Sequence, residues 1–290
     1  MTIDPGKTLL RLYEAETENS LDDAGRSRLF DEPIWGVADA SDPWFARLKQ
    51  VIGDHHWTPQ EALGFGDPQA PARSVICWCL PVGETPRASN RDEKVFPSRE
   101  WAFMRGRADG ILLRMARGME EALRRLGHVA VAPAQLSPRP VESVPVPVLS
   151  SRWSQRHVGF VAGLGTFGIS GGLITRRGVA HRMGSVVTDA ELAPMSRPYG
   201  DDPFAWCLKA SRGTCGACIA RCPVLSVGES VYLRDRMACA NHRETIRSHA
   251  RERFGRQTGH FGCGLCQTRV PCELRNPTAD VHKPPEADSP

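Results

Sequence analysis

Cysteine is the residue type whose number and spacing in this sequence point most directly to chemistry. The 290-residue chain has ten cysteines, and eight of them lie between residues 207 and 272. They form two groups of four, Cys207, Cys215, Cys218 and Cys222, followed by Cys239, Cys263, Cys266 and Cys272. In a reducing compartment, cysteines grouped in this way are metal ligands or catalytic groups rather than disulfide partners.

The densest part of the pattern runs from Cys215 to Pro223 and reads C-x2-C-x3-C-P. This is the later part of the C-x2-C-x2-C-x3-C-P run of two-cluster iron–sulfur proteins, in which the cysteine before proline binds the other cluster. With that crossover the eight cysteines divide into two sets of four, and none is left over. The first set is Cys207, Cys215, Cys218 and Cys272, and the second set is Cys222, Cys239, Cys263 and Cys266. The pattern therefore predicts two 4Fe-4S clusters.

Two structural zinc sites are the alternative, because C-x2-C pairs also bind zinc. The cysteine–proline ending, and ligands shared between the two groups, favour iron–sulfur clusters. Cys272 departs furthest from the ferredoxin pattern, because five residues separate it from Cys266 and Pro271 comes directly before it.

The part of the chain before these cysteines alternates between helical and strand patterns. Apolar residues repeat at helical spacing over 44–52 and 110–126, and each stretch is followed by a glycine stop signal. Short apolar runs at 74–80 and 128–132 are typical of strands. Strand, helix and strand in this order predict an α/β (α+β) fold.

The two remaining cysteines, Cys77 and Cys79, alternate along the strand predicted at 74–80. Their side chains should therefore lie on the same face of that strand. Because cysteine is among the most buried residue types, we expect both to be structural core residues.

A glycine-rich segment follows, in which Gly163, Gly165 and Gly168 have the spacing G-x-G-x2-G. Glycine permits tight turns and a close approach of the backbone to a ligand. The preceding residues have a helical pattern and no G-K-[ST] ends the segment, so neither a dinucleotide-binding fold nor a phosphate-binding loop is indicated. Packing within the protein is the alternative explanation. Two further strands are predicted at 172–175 and 184–188.

The chain divides at segments rich in proline, glycine and polar residues. Residues 133–147 predict a loop or an extended crossing segment, residues 197–203 a linker, and residues 276–290 a disordered tail. We therefore predict an α/β domain over 1–200 and a ferredoxin-like module with both clusters, the cysteine module, over 201–275.

Composition and charge exclude some classes of protein. No apolar run approaches the roughly 18 residues of a transmembrane helix, and the first residues lack the pattern of a secretory signal, so we expect a cytoplasmic protein. The net charge is +4, but residues 205–275 contain twelve Lys and Arg against five Asp and Glu. Such a segment can attract nucleic acid or an acidic protein, form a solvated face, or offset the charge of thiolate-bound clusters.

The order of these motifs resembles that of the cobalamin-dependent epoxyqueuosine reductases and the related reductive dehalogenases. The similar pieces are G-x-G-x2-G at 163–168, L-I-T at 173–175 with Gly178, R-x-G-x-V-x-T-D at 182–189, and then the eight cysteines. The resemblance covers about residues 150–275, and the preceding half only in its general layout.

This resemblance implies a nitroreductase-like α/β domain that holds a base-off cobalamin beside the two clusters, which pass single electrons to cobalt. In such an enzyme the cofactor carries the chemistry, and the protein positions it. The residues that it places along the corrin are Gly163, Gly165, Gly168, Ser170, Gly178, Arg182 and Thr188.

Three residues are candidate proton donors: His157 and Arg152 near the corrin segment, and Tyr199 in the linker. A histidine can donate a proton near neutral pH, and a tyrosine beside a cation is the donor type that the resemblance to dehalogenases implies. The alternative for each of the three is that it is a surface or packing residue. Epoxyqueuosine reductases have a proton-donating aspartate in the stretch that corresponds to residues 145–150, which contains no acidic residue here.

Three functions follow from these observations. The first, which we favour, is an oxidoreductase that relays electrons through two 4Fe-4S clusters to cobalamin and reduces a small organic substrate, by chemistry like dehalogenation or epoxide reduction. A ferredoxin or flavodoxin would supply its electrons. The second is an electron-transfer protein that reduces a corrinoid or other redox partner protein. The third is a zinc-stabilised nucleic-acid-binding protein. We expect neither nucleic acid nor a membrane as a partner.

Overall fold

The computed structural model describes residues 3–22, 27–136, 150–255 and 262–279. Its helices are α1 (Pro5–Glu14), α2 (Pro43–Ile52), α3 (Pro59–Leu63), α4 (Glu84–Arg91), α5 (Arg99–Arg125), α6 (Pro133–Leu136), α7 (Gln155–Val161), α8 (Leu208–Arg212), α9 (Ala217–Ala220) and α10 (Arg236–Phe254). Its strands are β1 (Ile34–Asp39), β2 (Ser74–Pro81), β3 (Ala130–Val131), β4 (Gly165–Phe167), β5 (Leu173–Thr175) and β6 (His181–Thr188). Two 3-10 turns span Val231–Leu233 and Leu265–Gln267. The predicted mixed α/β class is confirmed.

An antiparallel sheet with the strand order β1-β2-β6-β3 forms the centre of the α/β domain, and β4 pairs with β5 as a separate hairpin. Side chains of β2 alternate between the two faces of the sheet. Ile76 and Trp78 join the core formed with α1 and α5, whereas Cys77 and Cys79 join the core formed with α2, α3 and α7. Because helices cover both faces, every residue of β2 is buried.

Cys77 and Cys79 are fully buried on one face of β2, as the alternation predicted. Burial raises the pKa of both thiols, which therefore stay protonated at neutral pH. They lie in the core of the α/β domain, which supports the expectation that they are structural residues.

Most of the predicted elements of the α/β domain are present. The helix predicted at 44–52 and the strand at 74–80 are α2 and β2, and the strands at 172–175 and 184–188 correspond to β5 and β6.

Two predicted boundaries were wrong. The helix predicted from residue 110 begins at Arg99, because the Ser98 hydroxyl caps it by accepting from the Trp101 N–H at 3.1 Å. The strand predicted at 128–132 is reduced to Ala130–Val131, since only these two residues pair with β6.

The proline-rich segment predicted over 133–147 begins as α6, and its part from residue 137 onward lies outside the described residues. The same holds for the predicted tail from residue 280 onward. In the part of the chain that is described, no helix has both the length and the apolar character that crossing a membrane requires.

The cysteine module packs against the α/β domain through α4. Glu273 accepts from Arg87 Nη1 at 3.3 Å and pairs with Arg91 Nη2 at 2.8 Å. The side chains of Arg87 and Glu273 are only 5% and 8% exposed. Asn90 on the same helix donates to the Cys263 carbonyl oxygen at 3.0 Å. These charge-assisted and neutral hydrogen bonds fix the end of the module relative to the sheet.

Candidate metal centre

Short helices and turns present the eight cysteines. Cys207 is the N-cap of α8, Cys218 lies in α9, and Cys239 lies in the first turn of α10. Cys266 is part of the 3-10 turn at 265–267, which follows Gly264 in the left-handed conformation with a φ of 68°. Such short elements bury few apolar side chains, so the positions of the cysteines depend on turns and on contacts with the α/β domain.

The four thiols of the first set lie close enough together to interact electrostatically. Burial raises the pKa of Cys272, and Cys218, Cys207 and Cys215 raise it further. Burial also raises the pKa of Cys218 to about 12, together with Cys266, Cys207 and Cys215. The structure therefore brings the first set together, including Cys272, whose spacing departs furthest from the ferredoxin pattern.

The second set is brought together in the same way. Burial raises the pKa of Cys263 to about 12, and Cys266, Cys239 and Cys222 contribute. The pKa of Cys266 is raised to about 11, first by burial and then by Cys239 and Cys222, against a lowering by Arg234. Because Cys218 and Cys266 also interact, the two sets are neighbours.

Thiols with raised pKa values are protonated at neutral pH, whereas a metal ligand is a thiolate. Binding of a metal group at either set would therefore release protons. Among the described residues, no three His, Cys, Asp or Glu side chains are arranged to hold a metal ion.

Polar groups of the protein surround the sulfur atoms of the second set. The Ser226 N–H donates to Cys222 Sγ at 3.1 Å, and Arg234 Nη2 lies 4.0 Å from Cys239 Sγ. Hydrogen bonds and positive charge near a cysteine sulfur stabilise the thiolate and the more reduced state of a bound cluster.

Arginines lie next to the second set. Arg156 on α7 donates to the Gly171 carbonyl oxygen, and desolvation, with the charges of Arg234 and Arg236, lowers its pKa to about 10. Burial also lowers the pKa of Arg182, and the Nε atoms of Arg182 and Arg234 are buried without a hydrogen-bond partner. Arg182 Nη1 donates to Gln267 Oε1 at 3.3 Å, and the charge of Asp109 acts against the lowering of its pKa.

The glycines that the resemblance places along a corrin make their closest approaches to the protein itself. A Cβ at Gly165 would lie 2.0 Å from the Ile174 carbonyl oxygen, and one at Gly178 would lie 2.1 Å from the Glu273 carbonyl oxygen. At these two positions glycine is therefore explained by packing within the protein, the alternative to an approach of the backbone to a ligand.

The other residues of that list differ in their surroundings. Thr188 is fully buried, and its hydroxyl donates to the Val129 carbonyl oxygen at 2.8 Å. The Ser170 hydroxyl accepts from the Gly172 N–H at 3.4 Å, and Gly168 is also buried. Gly163 lines a surface cavity of about 440 Å³ with Trp35, Trp206 and Arg176. Arg182 is the member of the list whose side chain has a buried polar atom without a partner.

The three candidate proton donors occupy separate environments. The Tyr199 hydroxyl donates to the Phe160 carbonyl oxygen at 2.5 Å and accepts from the Gly165 N–H at 3.3 Å, and burial raises its pKa. His157 Nδ1 lies 2.7 Å from the Ser154 hydroxyl. Burial, with Arg156 as the next cause, lowers the pKa of His157 to about 3, so it is neutral at pH 7.

Arg152 lies over the Trp57 ring, with its guanidinium carbon 5.7 Å from the ring centroid. Within the described residues, no hydrogen bond or ring contact joins any two of Arg152, His157 and Tyr199. The structure thus shows Tyr199 as a link between α7 and β4, and it does not bring the three side chains to one place.

Arg156 and Arg234 are the residues near the cysteine sets that sequence reasoning missed. The sequence offered one signal, the pair Arg234 and Arg236 between two cysteines of the second set. Arg156 gave no such signal, because it belongs to a helix of the α/β domain and reaches the second set only in the folded protein.

Comparison with solved structures finds similar folds in two groups of reductases. A catabolic reductive dehalogenase gives a TM-score of 0.51 at 17% identity, covering 84% of this chain and 30% of that chain. Epoxyqueuosine reductase from Bacillus subtilis gives 0.48 at 14% identity, covering 93% of this chain and 66% of that chain. Epoxyqueuosine reductase with a modified tRNA-Tyr stem loop gives 0.49 at 15%, with the same coverage. No family model and no curated protein matches the chain.

The structural neighbours are therefore epoxyqueuosine reductases and reductive dehalogenases at low sequence identity. The dehalogenase match agrees with the fold that the resemblance of the motifs implies. At these identities, the similarity to the dehalogenase establishes the fold. The chain spans just under two thirds of the Bacillus subtilis epoxyqueuosine reductase and less than a third of the dehalogenase.

Proposed function

We propose that this protein is an iron–sulfur oxidoreductase that relays single electrons through two 4Fe-4S clusters to a base-off cobalamin and reduces a small organic substrate. The observation that carries this proposal is the arrangement of the eight cysteines as two neighbouring sets of four. The fold shared with a reductive dehalogenase supports the assignment to the reductases.

The chemistry and number of the donors match iron–sulfur clusters, while the described side chains are not gathered around a single metal ion. Each set supplies four thiols, the ligand number of a 4Fe-4S cluster, and Cys222 acts electrostatically on Cys263 of the second set although it follows Cys218 closely in sequence. The charge balance also fits, because Arg156 and Arg234 would offset the negative charge that a thiolate-bound cluster brings into the protein. The twelve basic residues of segment 205–275 would then offset the charge of the clusters, and binding of nucleic acid is not needed to explain them.

The fit for cobalamin depends on which residues are considered. Gly165 and Gly178 are packed against backbone and leave no room for a corrin at those positions. Among the described residues, the buried polar atoms without partners include Arg182 Nε, Arg234 Nε and His181 Nδ1. We therefore place the polar contacts of a cobalamin at these side chains. When bound, cobalamin would supply the reductive chemistry at cobalt.

The residues of this chain would bind and orient the cofactors rather than react themselves. Arg156 and Arg234 hold positive charge beside the second set, which favours acceptance of an electron there. Tyr199 fixes α7 to β4 through its two hydrogen bonds and thereby holds Arg156 and His157 in position.

An electron-transfer protein that reduces a corrinoid or other redox partner protein is the second candidate function. The state of the predicted proton donors favours it. Tyr199 uses its hydroxyl in the core, and His157 is neutral at pH 7, so neither is poised as an acid. Electron transfer to a partner requires no proton donor.

The test is anaerobic reconstitution with iron and sulfide, followed by absorption spectra before and after cobalamin is added and the protein is desalted. We expect about eight iron and eight sulfide per chain and a band near roughly 400 nm that is lost on reduction. Corrin bands that survive desalting would support the reductase. Clusters without retained corrin would favour the electron-transfer protein, and zinc without sulfide would refute both.

A further inference from the structure

Residues 226–235 form a closed loop between two cysteines of the second set. The Asp235 N–H donates to the Ser226 carbonyl oxygen at 2.9 Å, and the Ser226 hydroxyl donates to the Asp235 carbonyl oxygen at 2.6 Å. Each end also contacts a cysteine: the Ser226 N–H donates to Cys222 Sγ at 3.1 Å, and the Cys239 N–H to the Asp235 carbonyl oxygen at 3.4 Å. Compact loops with joined ends are Ω-loops, which are frequently functional.

Large apolar side chains project from this loop and its two flanks into solvent. The exposed fractions are 87% for Tyr232, 66% for Leu233, 80% for Leu225 and 40% for Met237. Leu225 has a φ of 52°, a left-handed conformation that non-glycine residues adopt at an energetic cost. These four exposed side chains all belong to residues 225–237, and exposed apolar patches mark interaction sites on soluble proteins.

The buried side of the loop is anchored. Val227 is 4% exposed and packs in an apolar cluster with Ile169, Ile174 and Cys207. Gly228 lies against Leu233, where an added Cβ would come within 2.7 Å of the Leu233 carbonyl oxygen. Tyr232 and Leu233 are thus displayed on a fixed base, which lowers the entropy cost of binding a partner.

The charge around the loop favours an acidic partner. Of the acidic side chains of the loop, Glu229 pairs with Lys209 at 2.5 Å, and Asp235 caps α10 by accepting from the Ala238 N–H at 2.9 Å. Arg236 is exposed directly beyond the loop. Over residues 205–275 the Lys and Arg side chains exceed the Asp and Glu side chains by seven. Opposite charge steers and orients protein encounters.

We infer that the 226–235 loop, with Leu225 and Met237, is the docking surface for an acidic one-electron carrier protein that reduces the second cluster. This inference rests on the proposed function, because it requires the cluster. The carrier loses one electron, the cluster passes from the 2+ to the 1+ state, and no bond or proton changes. A small apolar patch suits such a partner, since transient redox complexes bury less than about 1,200 Å².

A second copy of this chain is a poorer occupant. Two cysteine modules facing each other through this loop would bring two basic surfaces together, and like charges oppose association.

The test uses the reconstituted full-length chain and two reduced carriers, an acidic ferredoxin and an acidic flavodoxin, in anaerobic stopped-flow at the cluster band. In the double variant Tyr232→Ser, Leu233→Ser, we expect the second-order rate constant of cluster reduction to fall tenfold or more. Raised salt should slow the wild-type reaction. Reduction by dithionite should be unchanged, because a small reductant needs no docking surface. Val51→Ser on α2 is the matched control, because it removes an apolar side chain that is 62% exposed and distant in sequence from the 226–235 loop.

Several results would overturn the inference. One is a rate constant in the double variant that stays within twofold of wild type, and another is an equal fall in the rate of reduction by dithionite. The inference also fails if neither carrier reduces the wild type, or if the wild type is a dimer that the double variant converts to a monomer. If wild-type protein shows no cluster band after reconstitution, the proposed function itself fails, and this inference fails with it. A normal band with unchanged rates refutes the docking surface alone.

Discussion

The backbone N–H of Val179 donates to the carbonyl oxygen of Cys272 at 2.8 Å, so the α/β domain holds the last cysteine of the first set directly. Gly178 permits this contact, because its φ of 81° turns the chain back against residues 273 and 274. The first set is therefore completed across the boundary between the cysteine module and the domain. Iron binding at this set should depend on a turn that contains no ligand.

Gly178→Ala tests that dependence. An added Cβ would lie 2.1 Å from the Glu273 carbonyl oxygen, and backbone cannot yield as a flexible side chain can. Displacement of residues 272–274 should disable the first set and leave the second, so we expect the iron content to fall to about half. Gly200→Ala is the control, because Gly200 has a similar φ of 59° but open space around the new Cβ. Iron and sulfide analysis measures the result. An iron content equal to that of wild type in Gly178→Ala would show that the first set does not depend on this turn.

Glu273→Gln should destabilise the contact between the cysteine module and α4. The carboxylate pairs with Arg87 and Arg91 while almost fully buried, and after its loss both guanidinium groups keep only their pairs with the more exposed Glu84 among the described residues. Breaking a buried ion pair from one side costs about 3–5 kcal/mol, and the retained pairs with Glu84 bring the expected loss below that range. The free energy of unfolding in urea is the measurement. Glu121→Gln removes an exposed pair with Arg125 on α5 and should cost less than about 1 kcal/mol; equal effects of the two substitutions would argue against a special role for Glu273.

Much of the α/β domain could be predicted because its signals are local. The run at 74–80 is apolar on both faces, and the alternation of Cys77 with Cys79 correctly placed both side chains on one side of β2. The start of α5 was missed because its first turns contain polar residues and glycine, and their helical state depends on the Ser98 cap and on packing of Trp101 in the core.

In the candidate site, only the features that follow from the spacing of the cysteines could be predicted from the sequence. The ferredoxin crossover predicts Cys222 and Cys272 in opposite sets. In the structure Cys222 raises the pKa of Cys263, and Cys218, Cys207 and Cys215 raise that of Cys272, while cluster binding by the two sets stays a prediction. The closeness of Arg156 to the second set was not predictable, because a long stretch of sequence separates it from Cys239. The glycine pattern was also ambiguous, since glycine is required equally where a ligand approaches and where the protein's own backbone does.

Arg234→Gln should lower the reduction potential of the second cluster. Arg234 Nη2 lies 4.0 Å from Cys239 Sγ, and its positive charge would stabilise the more negative, reduced state of a cluster bound there. A tenfold change in the redox equilibrium corresponds to about 59 mV for one electron, and we expect a downward shift of that order. Redox titration followed by electron paramagnetic resonance measures it. Arg212→Gln on exposed α8, near the first set, should leave this potential unchanged; no shift with Arg234→Gln would exclude the effect.

Acidification should destabilise the fold through its buried histidines. Burial lowers the pKa of His181 to about 4, that of His56 to about 4 and that of His157 to about 3. Because the unfolded chain binds protons at these groups near pH 6.5 and the folded chain does not, stability rises with pH between about 4 and 6.5. His181→Gln should reduce the slope of the unfolding free energy by about 1.4 kcal/mol per pH unit in that window. If His181→Gln retains the wild-type slope, His181 is not the source of the pH dependence.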